Sequence, residues 1–435
     1  MNDLLRGILG AGGVLLLAWL CSENRKAVNW RLVIGGMALQ LTLICLFLVV
    51  PGADNLFGAL ADFFVAVTDF TKDGARFVFG GLADQTATNA AFGPANGFIF
   101  AFQVLPTIVF FSALCSVLYY AGILQRVVWA FAWVTKKFMR LSGAESLAAA
   151  AEIFLGQTES PLMIKPYVGR LTRSELFALM VGGMATIAGG VLVAYIGFLG
   201  KGDPVQQKAY AKFLLCASFM AAPASLVIAK LLVPQTEPVD EDLHVPKDTL
   251  GVNFLDALAT GTTEGLKLAL NVGAMLVAFI AFAALVNAGL GKLAVGIHAM
   301  HLTAEVPTIT LDALFGWAFA PVAWLIGVEA GDIRAVGSLL GKKLVFNEFV
   351  AYMDLGEMKA GGTLQPKSVY LATFALCGFA NFGSIGIQLG GTGGIAPEQR
   401  PKIAALGFKA LLGGTLSTLL TAAVAGVFFR WATLP

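Results

Sequence analysis

Two polar segments, each carrying a carboxylate, interrupt sequence that is otherwise apolar. One is GQTESPLMIKPY, with Gln157, Thr158 and Glu159 at its centre, and the other is KLVFNEFVAY, with Asn347 and Glu348 at its centre. A glycine-interrupted apolar segment follows each of them. Carboxylates at membrane depth are costly and survive mainly where they line a cavity or find a partner. Two such segments in corresponding positions of two halves predict a solute site at the interface of repeats, which is typical of a transporter.

The composition of the chain supports a membrane protein. Of its 435 residues, 57% are hydrophobic and only 13% are charged, whereas a soluble domain carries about 25% charged residues. The net charge of +2 gives no basis for nucleic-acid binding. The five cysteines are scattered singly in apolar sequence, which favours packing roles, and no cofactor is expected. We therefore expect an all-α polytopic protein in contact with membrane lipid.

Apolar runs and polar breaks divide the chain into four parts. Residues 1–140 hold the first spans, an interfacial helix and a scaffold helix. Residues 141–235 form a first repeat of a hairpin, a broken helix and a span. Residues 255–297 form a second scaffold helix. Residues 311–435 hold an interfacial segment of unassigned role and a second repeat of the same plan. The prediction is about eight transmembrane helices with two opposed re-entrant hairpins, interfacial helices and inverted repeats.

The scaffold segments and the first hairpin are predicted from the lengths of their apolar runs. Residues 98–139 and 255–295 are too long for one upright span, so we expect strongly tilted helices or helices with an extension. The runs 146–155 and 161–168 are too short to cross, because a span needs about 20 residues. Two short limbs around a polar tip indicate a re-entrant hairpin. Basic residues on both sides of it favour entry from the cytoplasmic face.

The polar side chains at the breaks indicate the kind of solute. A broken helix offers free amides at one half-helix end and free carbonyls at the other. Acceptors and amide donors in an apolar setting suit a neutral solute rich in hydroxyl and amide groups, because each polar group needs a partner once water is removed. A phosphorylated solute would call for arginine, which both breaks lack. The candidate polar residues are Gln157, Thr158, Glu159, Glu348, Asn381 and Ser384, with Phe379 offering an aromatic face.

At these positions the sequence resembles the concentrative nucleoside transporter family in its bacterial, eight-span form. The resemblance lies in GQTE with PLMIKPY, ATIAGGVL, NEFVAY and CGFANFGSIGIQLGG, and it extends over nearly the whole chain. It implies a symporter, not an enzyme, that imports nucleosides such as uridine across the bacterial inner membrane. It also implies a homotrimer whose mobile transport domains move as elevators. Purine or pyrimidine preference and ion stoichiometry stay open.

The same resemblance implies roles for single residues. Gln157, Thr158 and Val191 would face the nucleobase with Phe379 beside it. Glu348, Asn381 and Ser384 would hold the ribose hydroxyls, and Glu159 would act directly or through water. A sodium ion would be bound by Glu152, the Leu155 carbonyl, Thr186 and the Ile187 carbonyl.

Position 152 departs from the family pattern, which commonly has asparagine there. Glutamate keeps an oxygen ligand for a hard cation such as sodium. A buried carboxylate can also take up a proton. Sodium symport is the favoured interpretation, and proton coupling is the alternative.

Other interpretations of the motifs remain open at this stage. The first break could be structural, with its carboxylate paired to Lys165. Asn347 and Glu348 could be a solvated surface pair beside Lys342 and Lys343. The glycine motifs could be close-packed helix contacts. A channel-like pore would need a continuous filter, which this plan does not suggest. Intramembrane protease motifs such as HExxH are absent from the sequence.

Overall fold

The computed structural model describes residues 3–50, 52–93, 97–201, 203–239, 252–300 and 309–432. These residues form helices joined by turns and loops, with no strand among them. The helices up to the middle of the chain are α1 Asp3–Leu20, α2 Trp30–Leu48, α3 Ala53–Phe79, α4 Gln85–Phe92, α5 Phe100–Gln103, α6 Leu105–Tyr120, α7 Ile123–Met139, α8 Gly143–Ala151, α9 Ser160–Met163, α10 Lys165–Val168, α11 Arg173–Ala185, α12 Gly189–Gly200 and α13 Pro204–Leu232. The remaining helices are α14 Phe254–Ala299, α15 Leu311–Leu325, α16 Ile333–Val345, α17 Glu348–Ala360, α18 Pro366–Leu376, α19 Phe382–Gly390, α20 Thr392–Ile395 and α21 Arg400–Val427.

The number of membrane crossings agrees with the sequence prediction. Within the described ranges, 7 stretches are long and apolar enough to span a bilayer, namely α1, α2, α5 with α6, α11 with α12, α13, α14, and α21 with the turn before it. An eighth crossing is assigned to α18 and α19, whose halves of 11 and 9 residues are each too short alone. The all-α fold with about eight spans is confirmed.

The two overlong segments fold differently. Residues 98–139 are not one tilted helix, because Gly122 adopts a left-handed conformation with φ of 72° and separates α6 from α7. The segment is therefore a span with an extension, which is the second of the two predicted forms. The other segment is a single helix of 46 residues, α14, and it packs along α6 as the expected scaffold pair.

The two hairpins open at opposite ends of the molecule. The first hairpin, α8 to α10, leaves at Gly169, whose carbonyl accepts a hydrogen bond from Gln399 Nε2 at 3.0 Å, and leads directly into α11. The second hairpin, α16 and α17, ends beside Lys359, whose Nζ donates to the carbonyl of Leu199 at the far end of α12 at 2.6 Å. Because α11 and α12 are the two halves of one crossing, the hairpin mouths lie on opposite sides.

Polar caps start the half-helices that meet in the interior. Asn347 caps α17 and Asn381 caps α19, each through its side-chain oxygen and a backbone N–H three residues on, whereas Ser142 caps α8 in the same way at the mouth of the first hairpin. Backbone groups at membrane depth must find a partner within the protein, and an N-cap side chain satisfies one of the free amides. The breaks are therefore encoded locally by single polar residues.

The division of the chain into four parts remains a prediction. The linker that follows the first repeat falls partly within residues 240–251, and residues 433–435 close the last part. Both segments lie outside the described residues.

Candidate functional site

A continuous chain of hydrogen bonds joins both hairpins to both broken helices. Gln157 Nε2, at the tip of the first hairpin, donates to Ser384 Oγ at 3.1 Å. The backbone N–H of Ser384 donates to Asn381 Oδ1 at 3.0 Å, and Asn381 Nδ2 donates to Glu348 Oε2 at 3.0 Å. The Tyr195 hydroxyl, on α12, donates to Glu348 Oε1 at 3.2 Å. We call these five residues the polar chain.

Every member of the polar chain is buried. Glu348 is 2% exposed and Gln157, the most accessible of the five, is 7% exposed. Each oxygen of the Glu348 carboxylate takes one donor, which leaves lone pairs for further hydroxyl or amide donors. The interpretation of Asn347 and Glu348 as a solvated surface pair is therefore wrong, since Asn347 is also only 7% exposed.

Thr158 and Glu159 face a cavity instead of joining the polar chain. The cavity has a volume of about 410 Å³ and lies between the first hairpin and the scaffold helices α6 and α14. Its lining includes Thr158, Glu159, Phe111, Ser112 and Glu264. Its size suits a ligand pocket, since such pockets are typically about 300–1,000 Å³.

Glu159 has spare hydrogen-bonding capacity at this cavity. Its Oε2 atom is buried and has no hydrogen-bond partner among the described atoms. Lys165 also lines the cavity. Among the ion pairs of the described side chains none joins Glu159 to Lys165, so the structure does not support the paired, purely structural interpretation of this break.

Val191 and Phe379 flank the polar chain without belonging to it. Val191 is 1% exposed and lies one turn before Tyr195 on α12. Phe379 is half-buried in the break between α18 and α19, and its backbone N–H donates to the Thr186 carbonyl at 3.3 Å. That bond ties the broken helix of one repeat to that of the other. The residues lining the cavity include neither of the two.

The predicted cation ligands meet at the last turn of α11. Glu152 is 1% exposed, and its Oε1 accepts a hydrogen bond from Ser160 Oγ at 3.2 Å. Its Oε2 lies against Gly182, where a Cβ atom would be 1.9 Å away, so this approach requires glycine. Thr186 Oγ1 donates to the Gly182 carbonyl at 2.9 Å. Glu152 and Thr186 therefore approach the same turn of helix.

The other two predicted cation ligands lie in the adjoining breaks. Leu155 is half-buried just beyond the end of α8, and its N–H donates to the Ala151 carbonyl at 2.9 Å. Ile187 is fully buried between α11 and α12. The part played by their carbonyls stays a prediction.

Two residues of the site and one buried lysine beside it were missed by the sequence analysis. Tyr195 donates to Glu348, Gln388 Nε2 donates to Gln157 Oε1 at 3.4 Å and to the Met180 carbonyl at 2.8 Å, and Lys343 is 3% exposed. The signal for Tyr195 and Gln388 was a lone polar group in an apolar helix, which must find a partner inside the protein. Lys343 carried the same signal, but its neighbour Lys342 suggested a solvated charge run.

The fold and the site together define a class of protein. Two hairpins that enter from opposite ends, two broken helices and a buried polar chain between them are the inverted-repeat plan of a secondary transporter. Secondary transporters of this plan hold their solute near the ends of such half-helices.

Comparison with protein families gives the particular group. The profile "Na+ dependent nucleoside transporter C-terminus" matches residues 213–426, its N-terminal counterpart matches residues 9–82, and the profile "Nucleoside recognition" matches residues 101–202. An uncharacterized transporter of Haemophilus influenzae is 45% identical over 98% of both chains. The nucleoside permease NupC of Helicobacter pylori is 37% identical over 97% of both chains. Sodium/nucleoside cotransporter 1 of the rat is 36% identical over 95% of this chain and 62% of its own length.

Solved structures agree with the sequence relatives. CNTnw in an inward-facing substrate-bound state is 40% identical and superposes with a TM-score of 0.89 over 98% of both chains. A variant of CNTnw solved in an outward-facing state is 39% identical in sequence to this chain. It superposes with a TM-score of 0.90 over 99% of this chain and 98% of the CNTnw chain. The chain therefore belongs to the concentrative nucleoside transporter family, which consists of transporters and not enzymes. With its bacterial relatives and its apolar helices, it is a multi-pass protein of the bacterial inner membrane.

Proposed function

We propose that this chain is a sodium-coupled symporter that imports nucleosides such as uridine by an elevator-type alternating-access movement. The observation that carries the proposal is the polar chain, because it links both hairpins and both broken helices through buried hydrogen bonds. A solute that inserts into this chain contacts both repeats at once. In an elevator-type movement both hairpins and the solute between them would move together past the scaffold helices α6 and α14, so that the site opens to one side at a time.

The two ends of the polar chain suit the two parts of a nucleoside. Glu348 can accept hydrogen bonds from the ribose hydroxyls, because each oxygen of its carboxylate accepts from one protein donor and keeps a further lone pair. Asn381 and Ser384 would hold the ribose hydroxyls together with it. At the other end the Gln157 amide offers both a donor and an acceptor to a base edge. Thr158, Val191 and Phe379 would complete the base side, and Glu159 would bind directly or through water.

Sodium is proposed as the coupling ion, carried together with the nucleoside. Its ligands would be Glu152, the carbonyls of Leu155 and Ile187, and Thr186, which form a set of oxygens suited to a hard cation. The meeting of Glu152 with Thr186 at Gly182 supports this set. One charge that moves down the membrane potential releases about 2.3 kcal/mol per 100 mV, which can drive accumulation.

Proton coupling is a second candidate, and one observation favours it. Glu152 is a carboxylate, whereas the family pattern commonly has asparagine, and a carboxylate can bind a proton itself. The test is uptake of radiolabelled uridine into proteoliposomes with sodium and pH gradients imposed separately. Uptake driven by the sodium gradient alone supports sodium symport, whereas uptake that ignores sodium and follows the pH gradient replaces it. Uptake linear in uridine and without counterflow would contradict a carrier of either kind.

The scaffold helix α14 offers an apolar surface that is compatible with the proposed trimer. It carries large apolar side chains that stay exposed in the single chain, among them Leu270 at 62%, Val277 at 74% and Leu285 at 68%. Such a surface needs lipid or neighbouring copies to cover it. Mass measurement of the detergent-solubilised protein tests the trimer directly, and a monomer at all concentrations would contradict it.

A further inference from the structure

Lys343, on α16 of the second hairpin, is a buried cation that the proposed transport mechanism leaves unused. Its side chain is inside the protein, with 3% of the residue exposed. Its Nζ donates to the Ala375 carbonyl and to Thr418 Oγ1, both at 2.9 Å. A lysine at membrane depth is energetically costly, and such residues usually have a function.

The Ala375 carbonyl is free to bind Lys343 because its helix is broken. Ala375 lies in the last turn of α18, which ends at Leu376. In an unbroken helix this carbonyl would accept from the N–H of Phe379. That N–H donates instead to Thr186 at 3.3 Å. The ammonium therefore takes the position of the missing donor at the negative end of the half-helix, where a cation is favourable.

The first repeat places the opposite charge at the equivalent point. Glu152 precedes the tip of the first hairpin, and its Oε2 lies against Gly182 in the last turn of α11. A carboxylate at the negative end of a half-helix is unfavourable without a cation. The first break therefore needs a cation from solution. At the second break the positive charge is part of the protein, on the side chain of Lys343.

Lys343 also balances a charge in the polar chain. Glu348 lies five residues further along the same hairpin, and both residues are buried, with 3% of Lys343 and 2% of Glu348 exposed. The donors that contact the Glu348 carboxylate, Tyr195 and Asn381, are neutral groups. Without Lys343 the second hairpin would carry an uncompensated buried negative charge, which is strongly unfavourable.

We propose that Lys343 is a tethered cation, occupying in the second repeat the place that the mobile coupling cation takes in the first. The inference rests on the proposed function, since it concerns the coupling of that transport. Its consequence is that one mobile cation suffices for each nucleoside. Removing the lysine charge should make the second hairpin recruit a cation from solution.

The test is the coupled charge per nucleoside in proteoliposomes. Uridine accumulation at equilibrium is measured against imposed membrane potential in equal sodium on both sides, and the slope gives the charge moved with each uridine. In Lys343→Met the slope should rise about twofold relative to the wild type. The matched control is Lys230→Met combined with Glu145→Gln, since Lys230 is also 3% exposed and pairs with Glu145 away from the breaks, and the combined change leaves no unpaired charge. An unchanged slope in Lys343→Met would overturn the proposal.

A stability measurement covers the case in which the variant transports too poorly. Thermal unfolding of the purified proteins is compared in sodium and in choline. Sodium should raise the melting temperature of Lys343→Met more than that of the wild type or of the control with Lys230→Met and Glu145→Gln. The extra gain should vanish in the double variant Lys343→Met with Glu348→Gln, which removes both charges. An equal gain in all four proteins, or failure of both Lys343 variants to fold in either salt, would make Lys343 a packing residue.

The outcomes are distinct from failure of the proposed function. If the wild type itself does not accumulate uridine, the proposed function is wrong. A wild type that accumulates uridine while Lys343→Met keeps the same slope and the same sodium response contradicts only the tethered cation.

Discussion

Replacing Glu348 by glutamine is the most informative single change in the polar chain. The substitution keeps the size of the side chain and removes its charge. The carboxylate accepts from Tyr195 at 3.2 Å and from Asn381 at 3.0 Å, and in our proposal also from the ribose hydroxyls. The new amide nitrogen can only donate, so one of these partners loses its acceptor.

The expected loss of affinity can be worked out from the hydrogen bonds. A bond to a charged group contributes roughly 1 to 1.5 kcal/mol more than a bond between neutral groups. For two ribose hydroxyls the loss is roughly 2 to 3 kcal/mol, which corresponds to roughly 30- to 150-fold weaker binding. Uridine binding to the purified protein in sodium measures this directly, and uptake at equal expression gives a second measurement.

Two controls make the result specific to the ribose. Glu357→Gln makes the same exchange on the same helix at an exposed position, and it should leave binding unchanged. Deoxyuridine lacks a ribose hydroxyl, so Glu348→Gln should weaken its binding less than that of uridine. Equal losses for uridine and deoxyuridine, or wild-type binding of uridine, would refute the role of Glu348 at the ribose.

Three further changes test other parts of the account. Gly182→Ala places a Cβ atom 1.9 Å from Glu152 Oε2, so the carboxylate must move. The sodium concentration for half-maximal uptake should then rise at least about tenfold. An unchanged sodium dependence would exclude this site. Tyr195→Phe removes one donor to a buried carboxylate and should weaken uridine binding roughly tenfold, as measured by calorimetry; unchanged binding would contradict its place in the site. Outside the spans, the hydrogen bond from Arg173, together with the charge of Lys409, lowers the pKa of Glu23 below its ordinary value of 4.5. A carboxyl group whose pKa is lower in the folded state stabilises the fold at pH values above its pKa in the unfolded state. Glu23→Gln should therefore lower the melting temperature at neutral pH, and the difference from the wild type should shrink as the pH falls below about 4.5. A difference in melting temperature that is independent of pH would contradict this.

The positions of the breaks were predictable because single residues encode them. Asn347 and Asn381 are polar caps in apolar sequence, and each starts a half-helix where the pattern indicated a break. The fold class, the first hairpin and the scaffold pair follow from the lengths of the apolar runs, and the second hairpin follows from its polar tip and from the repeat of the plan. The division of residues 98–139 at Gly122 was also readable, since glycine is the usual residue at the end of a helix.

The contacts across the two repeats were not predictable from the residues alone. Nothing in the local sequence shows that the Tyr195 hydroxyl reaches Glu348, which is 153 positions away. Lys343 was equally undecided, because an adjacent lysine makes either a solvated or a buried charge plausible. Its neighbour Lys342 pairs with Asp312 and Asp354, whereas Lys343 turns inward to the broken helix. Only the packing of the two repeats separates these cases.

A density map of the protein with uridine bound would show whether one solute bridges the two repeats. We expect uridine density in contact with Gln157 at the tip of the first hairpin and with Glu348 in the second hairpin. The ribose should lie on the Glu348 side. Uridine density elsewhere, or a map in which either side chain faces bulk solvent in every state, would contradict the account.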